Sequence, residues 1–255
     1  MHEFLRRDIE PFVVENLNIF PAVEILGPRQ CGKSTLVKMI SAKIEDFIYI
    51  DLQNMDDRNK LREPRLFFQA NSHRTICMDE IQLMPELFSI LRSEIDSNRR
   101  PGRFILLGSA SSELIQKTSE TLAGRVGLIE LTPFTIKEAE QHNRFRLNEF
   151  WLRGGYPDSF LAQSDRGSIL WRENFIRTYL ERDIPQLGFQ ISALQLRRLL
   201  TMCAHNQGQL LHLSNLASSL GVTYQTVRRY IDLMEQTFVL RSLKPFTKNI
   251  KKRLV

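Results

Sequence analysis

Apolar positions in the first half of the chain fall into short strand-length runs separated by helical patterns. An apolar run at Ala22–Leu26 is followed by a glycine-bearing loop, a helical pattern at Ser34–Ala42 and a second run at Phe47–Leu52. An N-terminal helix at about 3–17, further runs at Thr75–Met78, Arg103–Leu107 and Val126–Leu131, and helical patterns at Leu87–Ile95 and Ser111–Leu122 continue the series. Such alternation favours a parallel β-sheet covered by helices on both faces.

The spacing of apolar residues becomes helical after about residue 135, with an interruption at the turn 154–157 (Gly-Gly-Tyr-Pro). The last part carries helical patterns at Leu194–His205, Ser214–Leu220 and Tyr224–Gln236, followed by a β-like run at Phe238–Leu243. That order predicts a helix-turn-helix followed by a wing. We therefore expect an α/β core at residues 1–134, a helical lid or connector at 135–192 and a small winged-helix domain at 193–255.

Composition is compatible with a full hydrophobic core, because 42% of the 255 residues are hydrophobic. The apolar runs are far shorter than the 18 or more residues that a membrane helix needs, so we expect no membrane association. The N-terminus MHEFLRRDIE has acidic residues and no apolar signal-peptide segment, which favours a cytoplasmic location. Three widely spaced cysteines without a Cys-x-x-Cys pair argue against a disulfide framework or a structural metal.

Charge is distributed unevenly along the chain. Residues 1–150 carry 20 basic and 22 acidic side chains, whereas residues 151–255 carry 15 basic and 7 acidic ones. A basic excess of this kind either attracts a polyanion or forms a solvated face without a ligand.

The loop after the first apolar run has the spacing G-x-x-x-x-G-K-[ST], placed between a strand and a helix. Its residues are Gly27, Pro28, Arg29, Gln30, Cys31, Gly32, Lys33 and Ser34. Glycine at the first and sixth positions lets backbone N–H groups and the helix N-terminus face a phosphate. We expect Lys33 to reach the β- and γ-phosphates of ATP, Ser34 to bind Mg²⁺, and Thr35 to cap or pack the helix start. Cys31 is either a small filler in a tight loop or an oxidisable thiol that controls nucleotide binding.

A second element, which is acidic, follows about 45 residues after the loop. There the run Thr75–Met78 leads into Asp79 and Glu80. Asp79 at the end of the strand is predicted to orient Mg²⁺ or its waters. Glu80 is predicted to polarise the water that attacks the γ-phosphate.

Two further residues are candidates for the phosphate site. Ser109 closes the run Phe104–Leu107, so it either senses the γ-phosphate or is a plain turn residue. Arg125 either stabilises charge on the transferred phosphoryl group or forms a surface salt bridge. The stabilised group would lie in its own site or in a neighbouring subunit's, and the second case requires a homo-oligomer.

The region 213–234 has the features of a helix-turn-helix. Leu213, Leu216 and Leu220 form an apolar face, Gly221 permits a tight turn and Thr223 is placed to cap the next helix. On that helix the exposed residues are predicted to be Tyr224, Gln225, Arg228 and Arg229. These side chains suit phosphate and base-edge contacts in a DNA major groove, while a packing or protein-docking role is the alternative.

Several stretches resemble the prokaryotic AAA-superfamily ATPases in which an AAA core precedes a winged-helix segment and a nuclease-like C-terminal domain. The matching stretches are GPRQCGKSTL at 27–36, CMDEIQLMPEL at 77–87, LLGSASS at 106–112, LAGRVGLIELTPFT at 122–135, RGGYP at 153–157 and TYLERDI at 178–184. The resemblance implies that Lys33, Ser34, Asp79 and Glu80 bind nucleotide and magnesium. It also implies a sensor role for Ser109 and an arginine contact from Arg125, and we expect the chain to be shorter than its relatives.

Three functions are compatible with these residues. The first is an Mg·ATP-dependent ATPase that acts as a switch on or near DNA. The second is a DNA-binding regulator for which ATP is a structural or sensed ligand. The third, a P-loop kinase acting on a small molecule, is disfavoured because adjacent Asp79 and Glu80 suit water activation.

Overall fold

A computed structural model describes residues 4–109, 120–143, 145–186 and 191–243. Its described part contains a five-stranded sheet in the order β2-β3-β4-β1-β5, in which all neighbours are parallel. The strands are β1 (Ala22–Gly27), β2 (Phe47–Asp51), β3 (Thr75–Asp79), β4 (Phe104–Ser109) and β5 (Val126–Glu130). The predicted parallel sheet is confirmed.

The strand register brings the predicted site residues to one edge of the sheet. Gly27 is paired with Ser109, and Asp51 is paired with Asp79. Because every strand runs in the same direction, the loop after β1 and the acidic end of β3 lie at the same carboxyl edge. Strand β4 lies between β1 and β3.

Helices cover the sheet and continue into the second half of the chain. In the α/β part they are α1 (Glu10–Ile19), α2 (Lys33–Ser41), α3 (Met55–Lys60), α4 (Pro64–Ala70) and α5 (Leu87–Ser97). They continue as α6 (Ile136–Ala139), α7 (Leu147–Arg153), α8 (Pro157–Phe160), α9 (Asp165–Thr178) and α10 (Ile184–Gln186), with a π-helical turn at Tyr179–Asp183. The last described helices are α11 (Ala193–His205), α12 (Leu213–Leu220) and α13 (Tyr224–Gln236). Most of the helix predicted at Ser111–Leu122 falls outside the described residues.

Alternation along the strands divides the core into two apolar layers. Val23 and Ile25 of β1 pack in one layer, with side chains of α1 and α2. Phe104 and Leu106 of β4 pack in the other layer, with Phe88 and neighbouring residues of α5. Both faces of the sheet are thus buried, which fits the largely apolar sequences of its central strands, interrupted in β1 by the buried Glu24.

A separate cluster unites the C-terminal helices with the end of the predicted connector. Tyr179, Leu180 and Ile184 pack with residues of α11, α12 and α13. The predicted division at residue 192 therefore lies inside one hydrophobic cluster, and the three-part division stays a prediction.

The predicted wing is wrong for residues 238–243, where the described chain has no strand. Phe238 has a left-handed backbone conformation (φ 59°), and the N–H groups of Val239 and Leu240 donate to the carbonyl of Met234. These hydrogen bonds close the end of α13 instead of pairing with another strand. Phe238 packs against the sheet core, and Arg241 forms an ion pair with Glu130.

Across the described ranges, no helix combines the length and the apolar character needed to cross a membrane.

Candidate functional site

The loop from Gly27 to Ser34 is a tight bend that leads directly into α2. Gln30 (φ 61°) and Gly32 (φ 99°) both have left-handed backbone conformations, and Gly32 is the N-cap of α2. Backbone of this type forms a concave nest of N–H groups that suits an anion. Gly27 has a different reason to be glycine, because a Cβ atom there would lie 2.2 Å from the carbonyl oxygen of Leu131.

Lys33 holds a positive charge inside the loop. Its side chain is buried, and Nζ donates to the carbonyl oxygens of Gly27 at 3.0 Å and Pro28 at 2.9 Å. The ammonium group is therefore positioned by the same loop whose N–H groups form the nest.

Asp79 connects three elements of the sheet edge. Its Oδ2 accepts a hydrogen bond from Ser34 Oγ at 2.7 Å and another from the hydroxyl of Tyr49, while Oδ1 accepts from the backbone N–H of Glu80 at 2.9 Å. Burial raises the pKa of Tyr49 well above its usual value, and the hydrogen bond to Asp79 raises it further. Tyr49 is thus a fixed donor at neutral pH, and the Ser34–Asp79 contact joins the loop to β3 across the intervening strand.

Glu80 begins a sharp turn directly after β3. Its backbone is left-handed (φ 57°), a conformation that costs a non-glycine residue roughly 1–2 kcal/mol and often marks a functional position. The side chain is partly exposed, and Oε2 accepts a hydrogen bond from the amide of Gln82. A carboxylate held in this way at a sheet edge can accept a proton from a water molecule.

A buried arginine from the N-terminal segment supports the loop. Arg7 donates from Nη1 to the carbonyl of Cys31 at 3.0 Å, from Nη2 to the carbonyl of Thr132 at 2.6 Å and from Nε to Glu138 Oε1 at 3.0 Å. Its guanidinium group also lies 5.0 Å from the centre of the Phe134 ring. Arg7 therefore connects the loop with the chain that leaves β5 and with α6.

The loop also contacts the C-terminal part of the chain. Arg29 Nη1 donates to Oδ1 of Asp183, the last residue of the π-helical turn. Burial raises the pKa of Asp183 although Arg29 and Arg182 oppose this effect, and the carboxylate of Glu80 raises it further.

Cys31 is fully buried in the apolar layer beside α2, with Sγ 3.5 Å from the carbonyl oxygen of Leu131. Burial raises the pKa of its thiol, so the neutral form is favoured. These observations support the role of a small filler, because a reactive cysteine needs exposure and thiolate character.

Ser109 and Arg125 occupy opposite edges of the sheet. The backbone of Ser109 lies beside Gly27 at the carboxyl edge, and its side chain is outside the described set. Arg125 precedes β5 at the amino edge, about 17 Å from the loop by the length of β1. Its guanidinium group forms a two-point ion pair with Asp96, at 2.7 and 2.9 Å.

Arg125 therefore does not reach its own chain's site, and the surface salt bridge is the alternative that the structure contains. A contact with a neighbouring subunit's site stays a prediction.

The helix-turn-helix region has the predicted local geometry. Gly221 is left-handed (φ 66°), and the side chain of Thr223 accepts a hydrogen bond from the N–H of Thr226. On α13, Val227 and the residues that follow it at helical spacing are buried. The side chains predicted to face DNA are exposed, namely Tyr224, Gln225, Arg228 and Arg229.

Several site residues escaped sequence reasoning. Tyr49, Gln82, Arg7 and Asp183 each act through a partner that the local pattern does not specify. A signal existed for Asp183, which lies in the TYLERDI stretch, and for Tyr49, whose hydroxyl group stands in an otherwise apolar strand.

Two family models match this chain, one in each half of the sequence. Residues 20–140 match the family model described as AAA domain, and residues 144–255 match a domain of unknown function (DUF8612). Uncharacterized protein Mb2031c of Mycobacterium bovis and uncharacterized protein Rv2008c of Mycobacterium tuberculosis are each 42% identical over 248 residues. That alignment covers 97% of this chain and 55% of each relative, so the chain spans about half the length of these relatives.

A solved structure, the Walker-type ATPase PABY2304 of Pyrococcus abyssi, has a TM-score of 0.64 and 15% sequence identity. The superposition covers 92% of this chain and 90% of that one, which shows a shared fold.

Proposed function

Because this chain carries an AAA-type P-loop ATPase domain, we propose that it hydrolyses ATP with Mg²⁺ and uses nucleotide state to control its C-terminal helices. The observation that carries the proposal is the 2.7 Å contact between Ser34 Oγ and Asp79 Oδ2. It brings the loop and the acidic end of β3 to one point, where a phosphate-bound metal ion needs both.

ATP binding is supported by the loop itself. The left-handed residues Gln30 and Gly32 and the start of α2 offer backbone N–H groups to the phosphates. Lys33 adds a positive charge, and its Nζ group, which donates to the carbonyls of Gly27 and Pro28, lies within the same loop.

The donor atoms present also fit Mg²⁺. The Ser34 hydroxyl and the Asp79 carboxylate are hard oxygen ligands, and Tyr49 fixes the orientation of the carboxylate. Magnesium bound there would neutralise charge on the β- and γ-phosphates. The described residues contain no group of three or more His, Cys, Asp or Glu side chains suited to a metal. The Ser34 hydroxyl and the Asp79 carboxylate match the composition of sites in which Mg²⁺ takes its remaining ligands from phosphates and water.

Glu80 is the candidate general base. It stands next to Asp79 at the same sheet edge, and Gln82 holds its carboxylate. We propose that this carboxylate accepts a proton from the attacking water. Asp79 would meanwhile keep its hydrogen bonds to Ser34 and Tyr49 and contact the metal ion.

Phosphate release and binding of a fluorescent ATP analogue test the proposal. Lys33→Ala is expected to lose saturable binding. Glu80→Gln is expected to bind normally and to turn over about 10²- to 10⁴-fold more slowly. Glu86→Gln is the matched control, since Glu86 is exposed and lies six residues further along. Normal turnover by Glu80→Gln would remove Glu80 from the mechanism.

The same assay tests the alternative that ATP is a structural or sensed ligand. Saturable binding with no phosphate release above background, with or without duplex DNA, would favour that alternative. A specific activity that rises with protein concentration would support a shared active site in a homo-oligomer, with Arg125 as the candidate contact.

DNA binding by the C-terminal helices is a second proposal. Its support is the exposed face of α13, where Tyr224, Gln225, Arg228 and Arg229 stand opposite the buried side. Each phosphate neutralised steepens the dependence of log affinity on log salt by about 0.9. Replacing Arg228 and Arg229 together by Gln is expected to flatten that slope by about 2. An unchanged slope would exclude this face as the contact.

A further inference from the structure

One ion pair ties the proposed phosphate loop to the C-terminal helices. Arg29, the third residue of the loop, pairs with Asp183, which is 154 positions further along the chain. Asp183 ends a π-helical turn whose residues Tyr179 and Leu180 are buried in the C-terminal cluster. Short π-helical turns are rare in proteins, and those that occur are often found at functional sites. The loop and the C-terminal helices are thus linked through a charged contact.

The carboxylate of Asp183 lies where further negative charge is unfavourable. Its side chain is 12% exposed, and burial raises its pKa. Two arginines oppose this effect, Arg29 through the ion pair and Arg182 with Nε at 3.8 Å. The carboxylate of Glu80 repels it. A nucleoside triphosphate in the loop would add several negative charges to the same surroundings.

The Arg29–Asp183 pair and Glu80 lie at the same carboxyl edge of the sheet, since Arg29 belongs to the loop that Ser34 joins to the end of β3. Glu80, which directly follows that end, is the residue proposed to activate water beside the γ-phosphate. Arg29 belongs to the loop proposed to surround the phosphates. Its guanidinium group can therefore pair either with the Asp183 carboxylate or with a phosphate.

We infer that Asp183 is a positioning residue that acts through Arg29 and sets the preference of the site for ATP over ADP. This inference rests on the proposed function. The ion pair is closed without nucleotide and with ADP, and the γ-phosphate opens it by drawing Arg29 away from Asp183. Part of the binding energy of ATP is spent on that opening, whereas ADP binds without it. Opening also releases the π-helical turn from the loop.

Replacement of Asp183 by Asn tests the inference. The substitution removes the anion that holds Arg29 and leaves Arg29 in the loop, where the γ-phosphate can attract it without opening an ion pair. The variant is expected to bind a non-hydrolysable ATP analogue about 5- to 30-fold more tightly, in the usual range for coupled sites, and ADP within about 2-fold of the wild type. Asp46→Asn is the matched control, since it removes the carboxylate of another Arg–Asp pair, with Arg74, at the amino edge of the sheet. The control is expected to leave both affinities within about 2-fold.

Hydrogen exchange gives an independent measurement of the same contact. In the wild type, exchange of amides in 176–184 should accelerate when the ATP analogue is added and should be unaffected by ADP. In the Asp183→Asn variant it should be fast without nucleotide. Thermal denaturation of this variant with and without nucleotide confirms that it is folded.

The outcomes separate the inference from the proposed function. A wild type that binds neither nucleotide overturns both. A wild type that binds both, with an Asp183→Asn variant that keeps the same ATP-to-ADP affinity ratio, overturns the inference alone. Equal tightening of ATP and ADP also overturns it, because the γ-phosphate would then have no part in opening the pair.

Discussion

Replacement of Arg7 by Met tests whether a buried guanidinium group holds the nucleotide loop in place. The Arg7 side chain is 5% exposed and donates to Glu138, to the carbonyl of Cys31 and to the carbonyl of Thr132. Methionine retains apolar volume and provides none of these hydrogen bonds. The variant therefore leaves one carboxylate without its counter-ion and two backbone carbonyls without this donor.

The expected loss of stability depends on the hydrogen bonds that Glu138 retains in the variant. Its Oε1 still accepts from the N–H of Asp8 at 2.9 Å, and its Oε2 still accepts from the N–H of Thr135 at 2.9 Å. A charge left without its buried partner costs about 3–5 kcal/mol, and the remaining donors place this case near the lower end, at about 3 kcal/mol. For a chain of this size, that corresponds to a fall in Tm of roughly 6–12 °C.

Thermal and denaturant unfolding measure the effect, with Arg6→Met as the matched control. Arg6 is the adjacent arginine, and its side chain is 67% exposed. Its partner Glu10, at 3.5 Å, keeps the ion pair with Lys43 at 2.6 Å in this variant, so the expected loss is about 0–1 kcal/mol. Adding Glu138→Gln to Arg7→Met is expected to recover about 1 kcal/mol, because the unpaired charge is removed. Equal unfolding temperatures for Arg7→Met and Arg6→Met would refute the argument that this arginine braces the loop.

Other predictions concern the loop, the proposed metal ligand Asp79 and the dependence of stability on pH. Gly27→Ala is expected to cost about 1–3 kcal/mol of folding free energy, since its Cβ would lie 2.2 Å from the Leu131 oxygen. Gly124→Ala, which meets no atom within 4 Å, should cost about 1 kcal/mol for its positive φ, and equal denaturant midpoints would contradict the comparison. Tyr49→Phe removes a donor to Asp79, so the Mg²⁺ concentration for half-maximal binding of an ATP analogue should rise about 10-fold; an unchanged titration would count against Tyr49. The raised pKa of Asp183 means that its charge costs stability as pH rises above the usual Asp value of about 3.9, so Asp183→Asn should gain stability relative to the wild type in that direction. Arg125 lowers the pKa of Asp96, so Asp96→Asn should lose stability relative to the wild type above that pH and match it in stronger acid; denaturation at several pH values checks both signs.

The features predicted from the sequence are those that short segments determine. The strands of the core, the phosphate-type loop and the acidic end of β3 follow from local periodicity and from motif spacing. The contacts that the sequence did not reveal join residues 30, 131 and 154 positions apart, as in Tyr49–Asp79, Arg7–Glu138 and Arg29–Asp183. Pairing over such distances leaves no periodic signal in a single sequence.

The strand predicted at Phe238–Leu243 is wrong for a different reason. The run at Phe238–Leu243 has the composition of a strand, but a strand also needs a neighbour for its backbone hydrogen bonds. The N–H groups of Val239 and Leu240 are instead satisfied by the end of α13. The local hydrogen bonds that end α13, together with the packing of Phe238 against the sheet core, therefore outweigh the strand propensity of this segment.

The Arg29–Asp183 pair also gives physical content to the proposed control of the C-terminal helices. From Asp183 the π-helical turn leads back to Tyr179, whose hydroxyl group lies 2.6 Å from Thr237 Oγ1 at the end of α13. A continuous set of contacts thus connects the phosphate loop with the helix that carries the exposed Arg228 and Arg229. Coupling through such a set is reciprocal. If ATP binding raises the affinity for a partner of α13, that partner must raise the affinity for ATP by the same factor. A partner that binds α13 and favours the open pair would therefore tighten ATP binding by the factor with which ATP tightens binding of the partner. Without the Arg29–Asp183 pair both factors would fall to one, since no contact would remain for the γ-phosphate to open.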